Sequence, residues 1–155
     1  MSGQHDHVRE GVPQAPYGVE NNYLSLLGMR ALDTLPLLRR VEDGFDFVAL
    51  ENLQRALGLP MESVADLANI SPRTLSRRRE QGRLMPDESD RLVRLSRLFS
   101  QTLDLFDGDA DAARRWFTSG ARALGGESPL AFARTETGAR EVEHLIGRLE
   151  HGVFS

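Results

Sequence analysis

The sequence predicts an all-α protein. From Tyr23 onward, apolar residues recur every three or four positions, which is the spacing of one buried helix face. No stretch alternates apolar and polar residues as a half-buried strand does. Glycine and proline interrupt the apolar pattern at short intervals, so we expect short helices, about eight or nine of them.

The first half of the chain divides into a tail and three apolar stripes. Residues 1–20 hold three glycines and two prolines with almost no apolar periodicity, and we expect a flexible tail there. The stripes, each expected to form a helix, consist of Leu24, Leu27 and Ala31; then Leu35, Leu38 and Val41; then Phe47, Leu50, Leu53 and Leu57. Gly44 and Gly58 are placed to end the second and third of these helices.

The second half begins with two short helices, predicted over residues 61–68 and 72–81, with Gly82 ending the second. The longest helix is predicted from Pro86 to about Phe106, because its apolar residues keep one face throughout. The remaining expectations are a cap at Asp109 or Asp111, a helix carrying Trp116 and Phe117, a short helix from Ser128-Pro129, and a last one from Thr137 to Glu150.

Residues 64–79 have the pattern of a helix-turn-helix. Asn69 stands at the turn, where a left-handed backbone is needed and Asn tolerates it. Ser71 is a favoured N-cap, and Pro72 at the first helical position loses no hydrogen bond. Leu75 is expected to point inward. In this motif the start of the second helix reaches DNA base edges while the first helix crosses the backbone.

Local charge agrees with a nucleic-acid partner even though the net charge is −4. Residues 71–100 hold eight arginines and four acids, between segments that carry −5 and −3. A solvated surface helix would also show such a run, but here the turn, the cap and the charge coincide. The predicted DNA contacts are Ser71, Arg73, Thr74, Ser76, Arg77 and Arg78, with the three arginines on one exposed side.

Arg78 departs from the motif, because the position three after Leu75 is usually apolar. Two explanations stay open. The arginine stem can lie along the edge of the core, or the second helix can be rotated from its standard docking. Which arginines read bases and which hold phosphates depends on that choice.

The residues give little support for disulfides, metal sites, catalysis or cofactor binding. The chain has no cysteine, which excludes disulfides and thiolate-bound metals. Asp107, Asp109 and Asp111 lack the glycine and the closing Glu of a calcium loop, and we expect a helix cap instead. No nucleophile elbow or phosphate-binding glycine loop is present, so we expect neither catalysis nor a cofactor. Without a long apolar run or a signal-peptide pattern, we expect a soluble cytoplasmic protein.

The chain resembles the Xre/MbcA/ParS antitoxins, which join an Xre-like helix-turn-helix to a C-terminal toxin-binding domain. The resemblance covers most of residues 30–155. It is carried by residues 70–78 and 84–92, and in the C-terminal part by residues 113–117, 123–130 and 135–139 and by the ending over residues 149–154.

This resemblance implies a type II toxin–antitoxin pair. The toxin would carry a RES domain and consume NAD⁺, and the antitoxin would bind it directly and repress the shared promoter. Relatives direct the C-terminal end toward the toxin's active site. Val153 and Phe154 are apolar residues at a chain end, where polar residues are usual; folding back onto their own domain is the alternative. The predicted toxin contacts are Trp116, Glu150, Gly152, Val153, Phe154 and Ser155.

The predicted organisation is a tail over residues 1–20, a helix-turn-helix region over 21–107 and a toxin-binding domain over 108–155. The expected partners are a RES-domain toxin and operator double-stranded DNA. Because one recognition helix covers only one half-site, we expect a homodimer or a larger hetero-oligomer with the toxin. Two alternatives stay open: a stand-alone transcriptional regulator, and a protein-interaction module whose helix-turn-helix no longer binds DNA.

Overall fold

The structure is a computed structural model that describes residues 22–152. Within that range it forms α-helices and two short 3-10 segments and no strand, which confirms the predicted all-α class. The predicted tail over residues 1–20 lies outside the described residues. The helices are α1 Thr34–Asp43, α2 Val48–Leu57, α3 Met61–Leu67, α4 Pro72–Gln81, α5 Pro86–Leu105, α6 Ala110–Thr118, α7 Pro129–Phe132 and α8 Glu136–Glu150; the 3-10 segments are Asn22–Leu27 and Arg122–Leu124.

The long helix α5 is the centre of the fold. Its buried face includes Leu92, Leu95, Leu98 and Phe99. The first 3-10 segment, α1 and α2 pack against this helix from the N-terminal half, while α6 and α8 pack against it from the C-terminal half. This one helix therefore supplies core residues to both halves of the chain.

Four helices begin at a side-chain cap. Ser71, Asp109, Ser128 and Thr135 each accept a hydrogen bond from the backbone N–H three residues further along. Of the two expected caps for α6, Asp109 is therefore the one used, while Asp111 forms an ion pair with Arg114 at 3.2 Å. Helix α8 begins at Glu136 rather than Thr137, because Thr135 is its N-cap.

The first predicted stripe is shorter than expected. Leu24 and Leu27 are buried in a 3-10 segment that ends at Leu27, and Ala31 lies outside it with its side chain exposed. Gly28 ends the segment with φ +79, a backbone conformation in the left-handed region that glycine adopts without strain. The prediction that Ala31 shares this helical face was wrong.

The second stripe forms a helix, but its apolar face is not buried as a whole. No residue of α1 is buried, and Leu35 and Leu38 are 56% and 51% exposed. From this helix, only Leu37 and Val41 pack against the core. The predicted end at Gly44 is confirmed, whereas the assignment of Leu35 and Leu38 to a buried face was wrong.

Among the described helices, none has the combination of length and hydropathy that crossing a bilayer requires.

Candidate nucleic-acid interface and partner surface

Helices α3 and α4 form the predicted helix-turn-helix. Asn69 between them has φ +62, so it takes the left-handed conformation that the sequence indicated. The N–H of Ile70 donates to the carbonyl of Ala65 at 2.8 Å, which closes the turn, and both side chains are buried. Leu75 points inward, with 5% of its surface exposed. The turn is thus fixed by local hydrogen bonds and by three buried apolar side chains.

The start of α4 is held by its cap. The hydroxyl of Ser71 accepts from the N–H of Thr74 at 3.2 Å and donates to the Thr74 hydroxyl at 3.1 Å. Arg73, Ser76 and Arg77 are exposed on the same helix. The two arginines are four positions apart, so they lie one above the other on one face. This face is the candidate nucleic-acid interface.

Most arginines of the basic segment already have a partner within the protein. All eight arginines of residues 71–100 belong to the described part of the chain, and six of them contact other groups of the protein. Among the described residues, Arg73 and Arg77 have no hydrogen-bond, ion-pair or cation–π partner, and Arg79 has only the cation–π contact. The six engaged residues are Arg78 with Glu88, Arg79 over the Phe47 ring, Arg83 with Asp46, Arg91 with Asp87, Arg94 with Glu136 and Arg97 with Glu143.

Arg78 is an internal residue. Its side chain is 11% exposed, and its guanidinium donates to both oxygens of Glu88 at 2.8 and 2.9 Å. The hydrogen bond to Glu88 raises the pKa of Arg78 above its ordinary value, so the group stays charged across the physiological range. The expectation that Arg78 lies on an exposed side with Arg73 and Arg77 was wrong, because the usual apolar core residue is replaced here by a buried ion pair.

Sequence reasoning missed Glu88. One oxygen of this carboxylate also accepts from the backbone N–H of Met85 at 2.8 Å, so Glu88 caps α5 as well as pairing with Arg78. A signal was present: a Glu at the third position of a helix, ten residues after an arginine at a normally apolar position. The pairing itself requires the tertiary arrangement of α4 and α5.

Arginine side chains also hold the carboxyl ends of four helices. The last carbonyls of a helix have no partner within it, and a guanidinium can donate to them with two nitrogens at once. Each of these arginines lies outside the helix that it holds. Arg83 donates to Gly44 after α1, Arg114 to Ala56 in α2, Arg91 to Ala68 after α3, and Arg94 to Ala133 and Arg134 after α7.

The C-terminal half contacts the helix-turn-helix directly. Arg134, which follows α7, pairs with Asp66 of α3 at 2.7 Å. Arg94 of α5 holds the same turn through the carbonyl of Arg134 at 2.9 Å. The turn between α7 and α8 is therefore fixed against α3 and α5, and the two halves have a defined relative position.

The two adjacent aromatic residues of α6 have different surroundings. Phe117 is fully buried and contacts Phe99, with ring centroids 5.5 Å apart. Trp116 is half-buried and lies 6.3 Å from the Phe106 ring. Phe117 is thus a core residue, while Trp116 keeps part of its ring at the surface.

Two of the other residues predicted to contact a partner are described. Glu150 and Gly152 are exposed at the end of α8. Val153, Phe154 and Ser155 lie outside the described residues. Trp116 lies on α6, whereas Glu150 and Gly152 lie at the end of α8. Within the described residues, no contact joins Trp116 to either of them.

These features define an all-α helix-turn-helix protein with a helical C-terminal domain. Two family models match the chain: the antitoxin Xre-like helix-turn-helix domain over residues 36–97, and the antitoxin Xre/MbcA/ParS C-terminal toxin-binding domain over residues 101–152. The two matches meet within α5.

Three curated relatives of this chain are named antitoxin Xre. The protein named antitoxin Xre from Yersinia enterocolitica is 38% identical over 130 residues, which cover 83% of this chain and 88% of the relative. Proteins of the same name from Photorhabdus laumondii and Pseudomonas putida are 34% and 32% identical over 116 residues, with coverage of 74% and 73% of this chain and 78% and 70% of the relatives. The chain belongs to the Xre antitoxin family, which is not a known enzyme family.

Proposed function

We propose that this chain neutralises a RES-domain, NAD⁺-consuming toxin by direct contact and represses its own operon through α3 and α4. Membership of the antitoxin family and the match to a toxin-binding domain support a toxin partner. The RES identity of that toxin rests on the resemblance described for the sequence. In this proposal residues 21–107 bind DNA, and residues 108–155 bind the toxin.

The observation that carries the DNA-binding part is the pair Arg73 and Arg77. They are exposed at the start of the second helix of the motif, where base edges and phosphates are reached. Every other arginine of the basic segment contacts a group of the protein, whereas these two have no partner among the described residues. Arg is suited to bidentate contacts with guanine or phosphate. Ser76 adds an exposed hydroxyl, while Ser71 and Thr74 hydroxyls hold the cap.

The operator contacts proposed are therefore Arg73, Ser76 and Arg77, with Ser71 and Thr74 at the phosphate edge. Arg78 is left out because its guanidinium is bound to Glu88. The Arg78–Glu88 ion pair explains why an arginine stands at this usually apolar position of the motif. That arginine was the reason for considering a helix-turn-helix that no longer binds DNA. Leu75 and the Ser71 cap keep the positions expected of the motif.

The toxin contacts proposed are Trp116 and the end of the chain. Trp116 has exposed ring surface, and aromatic residues with one face on the core are common anchors in protein interfaces. Glu150 ends the last helix, and the residues after it include an apolar pair, Val153 and Phe154. In the proposal Phe154 fills an apolar site on the toxin, and the Glu150 carboxylate faces a cationic pocket that binds NAD phosphates.

The experiment is co-expression with a RES-domain toxin, with growth and cellular NAD⁺ as measurements. The full chain should restore both, and a chain lacking residues 150–155 should restore neither. The variant Arg73→Ala/Arg77→Ala is the matched control, because it should still protect the cell. Full protection by the truncated chain would overturn the assignment of this segment, and the absence of any toxin gene nearby would favour a stand-alone regulator.

A further inference from the structure

The first helix of the helix-turn-helix carries two carboxylates on its outer face. Glu62 and Asp66 of α3 are exposed and lie one helical turn apart. Both line the cleft between α3 and the start of α4, where Pro72 forms part of the other wall. In this motif the first helix crosses the DNA backbone. A carboxylate on this face therefore lies in the field of the phosphates and repels them.

Within residues 22–152, only one of these two carboxylates has a partner, and the partner comes from the other half of the chain. Nη2 of Arg134 lies 2.7 Å from Oδ2 of Asp66, and the two residues are 68 positions apart in the sequence. Glu62 has neither a hydrogen bond nor an ion pair in this part of the chain. The outer face of α3 is thus left with one uncompensated negative charge instead of two.

Arg134 is held in place by a second arginine. Arg94 of α5 donates to the backbone carbonyl of Arg134 at 2.9 Å and to that of Ala133 at 3.2 Å, and its side chain is only 11% exposed. The backbone of Arg134 is thereby fixed to the central helix. Less conformational freedom is then lost when the Arg134 side chain pairs with Asp66.

We propose that Arg134, a residue of the C-terminal half, supports DNA binding by neutralising Asp66 on α3. The two side chains are 50% and 68% exposed, and an ion pair as exposed as this one contributes little to stability. Its charges still act on a polyanion, because a carboxylate within about 10 Å of a phosphate is only partly screened at ordinary salt. Arg134 acts through Asp66, and it is a positioning residue rather than a DNA contact.

This inference rests on the proposed DNA binding through α3 and α4 and deepens it. The DNA-binding surface then depends on a residue of the half to which the proposed function assigns the toxin. Binding of DNA by the unchanged chain is measured first. No binding at all would overturn the proposed function itself, whereas binding that the Arg134 variant leaves unaltered would overturn only the role of Arg134.

The experiment measures the affinity of the full chain, by fluorescence anisotropy at about 50 mM salt, for the DNA duplex upstream of its own reading frame. Arg134→Ala should weaken binding about three- to tenfold, because Asp66 becomes an uncompensated charge. Arg140→Ala is the matched control. Arg140 belongs to the same half, is exposed and also pairs with an acid, Glu136 at 3.8 Å, but it does not contact α3. Its variant should bind within about twofold of the original chain.

A double variant distinguishes charge compensation from a structural role. The ion pair is absent from both Arg134→Ala and Arg134→Ala/Asp66→Asn, so a structural role would leave both variants weak. Compensation predicts that the double variant binds within about twofold of the original chain, because the repelling carboxylate is removed as well. Glu62→Gln should tighten binding about two- to fivefold, since it removes the carboxylate of α3 that has no partner.

Two results would overturn the role of Arg134. The first is an affinity of Arg134→Ala that equals that of Arg140→Ala. The second is a double variant as weak as Arg134→Ala, whether because Arg134 itself contacts a phosphate or because the pair orients the two halves. Circular dichroism of each variant shows that the helices are retained at the temperature of the measurement.

Discussion

Arg78 of α4 and Glu88 of α5 form a two-bond ion pair in which both side chains are nearly excluded from solvent. The distances are 2.8 Å from Nε to Oε1 and 2.9 Å from Nη2 to Oε2, with 11% and 7% of the side chains exposed. The pair joins the recognition helix to the central helix of the fold. It fixes the direction of α4, and so it positions Arg73 and Arg77 without touching a ligand.

Glu88→Ala should lower the free energy of unfolding by about 3–5 kcal/mol, because it leaves the Arg78 guanidinium buried without a partner. It also removes the acceptor for the Met85 N–H. Urea denaturation followed by circular dichroism measures the change. The double variant Arg78→Met/Glu88→Leu has no unpaired charge and should lose less stability than Glu88→Ala. A double variant that is equally or more unstable would contradict this account of the pair.

Arg73→Ala/Arg77→Ala should weaken operator binding in a mobility-shift assay and leave toxin binding unchanged. A binder that makes 6–10 phosphate contacts loses about 10³–10⁵ in affinity between 50 and 200 mM salt, and the variant should show a shallower dependence. Arg122→Ala is the matched control, because Arg122 is exposed in the C-terminal half. Equal loss of DNA and toxin binding in the double variant would show that these arginines stabilise the fold.

Gly138→Ala should destabilise the protein although alanine normally favours a helix. A Cβ atom at this position would overlap the backbone carbonyl oxygen of Phe132, which cannot move without disturbing the turn before α8. Gly147 lies in the same helix with nothing within 4 Å of a built Cβ. Gly147→Ala should therefore stabilise by about 0.5–1 kcal/mol. Thermal unfolding of the two variants should move the melting temperature in opposite directions, and the same sign for both would contradict the packing described here.

Trp116→Ala should weaken toxin capture more than tenfold at a smaller cost in stability than Phe117→Ala. Phe117 is fully buried against Phe99, and its truncation should cost about 3–5 kcal/mol. Trp116 contacts Phe106 but keeps part of its ring exposed. Affinity is measured by calorimetry with the purified toxin at a temperature where each variant is folded. Unchanged affinity in Trp116→Ala would remove this residue from the toxin contacts.

The local structure of this protein could be predicted from the sequence in some detail. The turn at Asn69, the cap at Ser71 and the stop at Gly82 depend on backbone preferences of single residues, and all three are found as predicted. The bounds of α4 match the prediction for the same reason. These features depend only on residues that are close in the sequence, so the local sequence is sufficient to predict them.

What each helix face contacts was decided by the tertiary structure. Periodicity shows which residues share a face, and it predicted a buried stripe in α1. Leu35 and Leu38 of that stripe are exposed because no helix formed by residues 22–152 lies over them. The eight arginines of residues 71–100 indicated a nucleic-acid partner, with Arg73, Arg77 and Arg78 predicted on one exposed side. Folding engages six of the eight in ion pairs, helix ends or an aromatic ring and leaves Arg73 and Arg77 without a partner among the described residues. Apart from Asp87, which pairs with Arg91 within α5, the partners in those ion pairs and in the ring contact come from other parts of the fold.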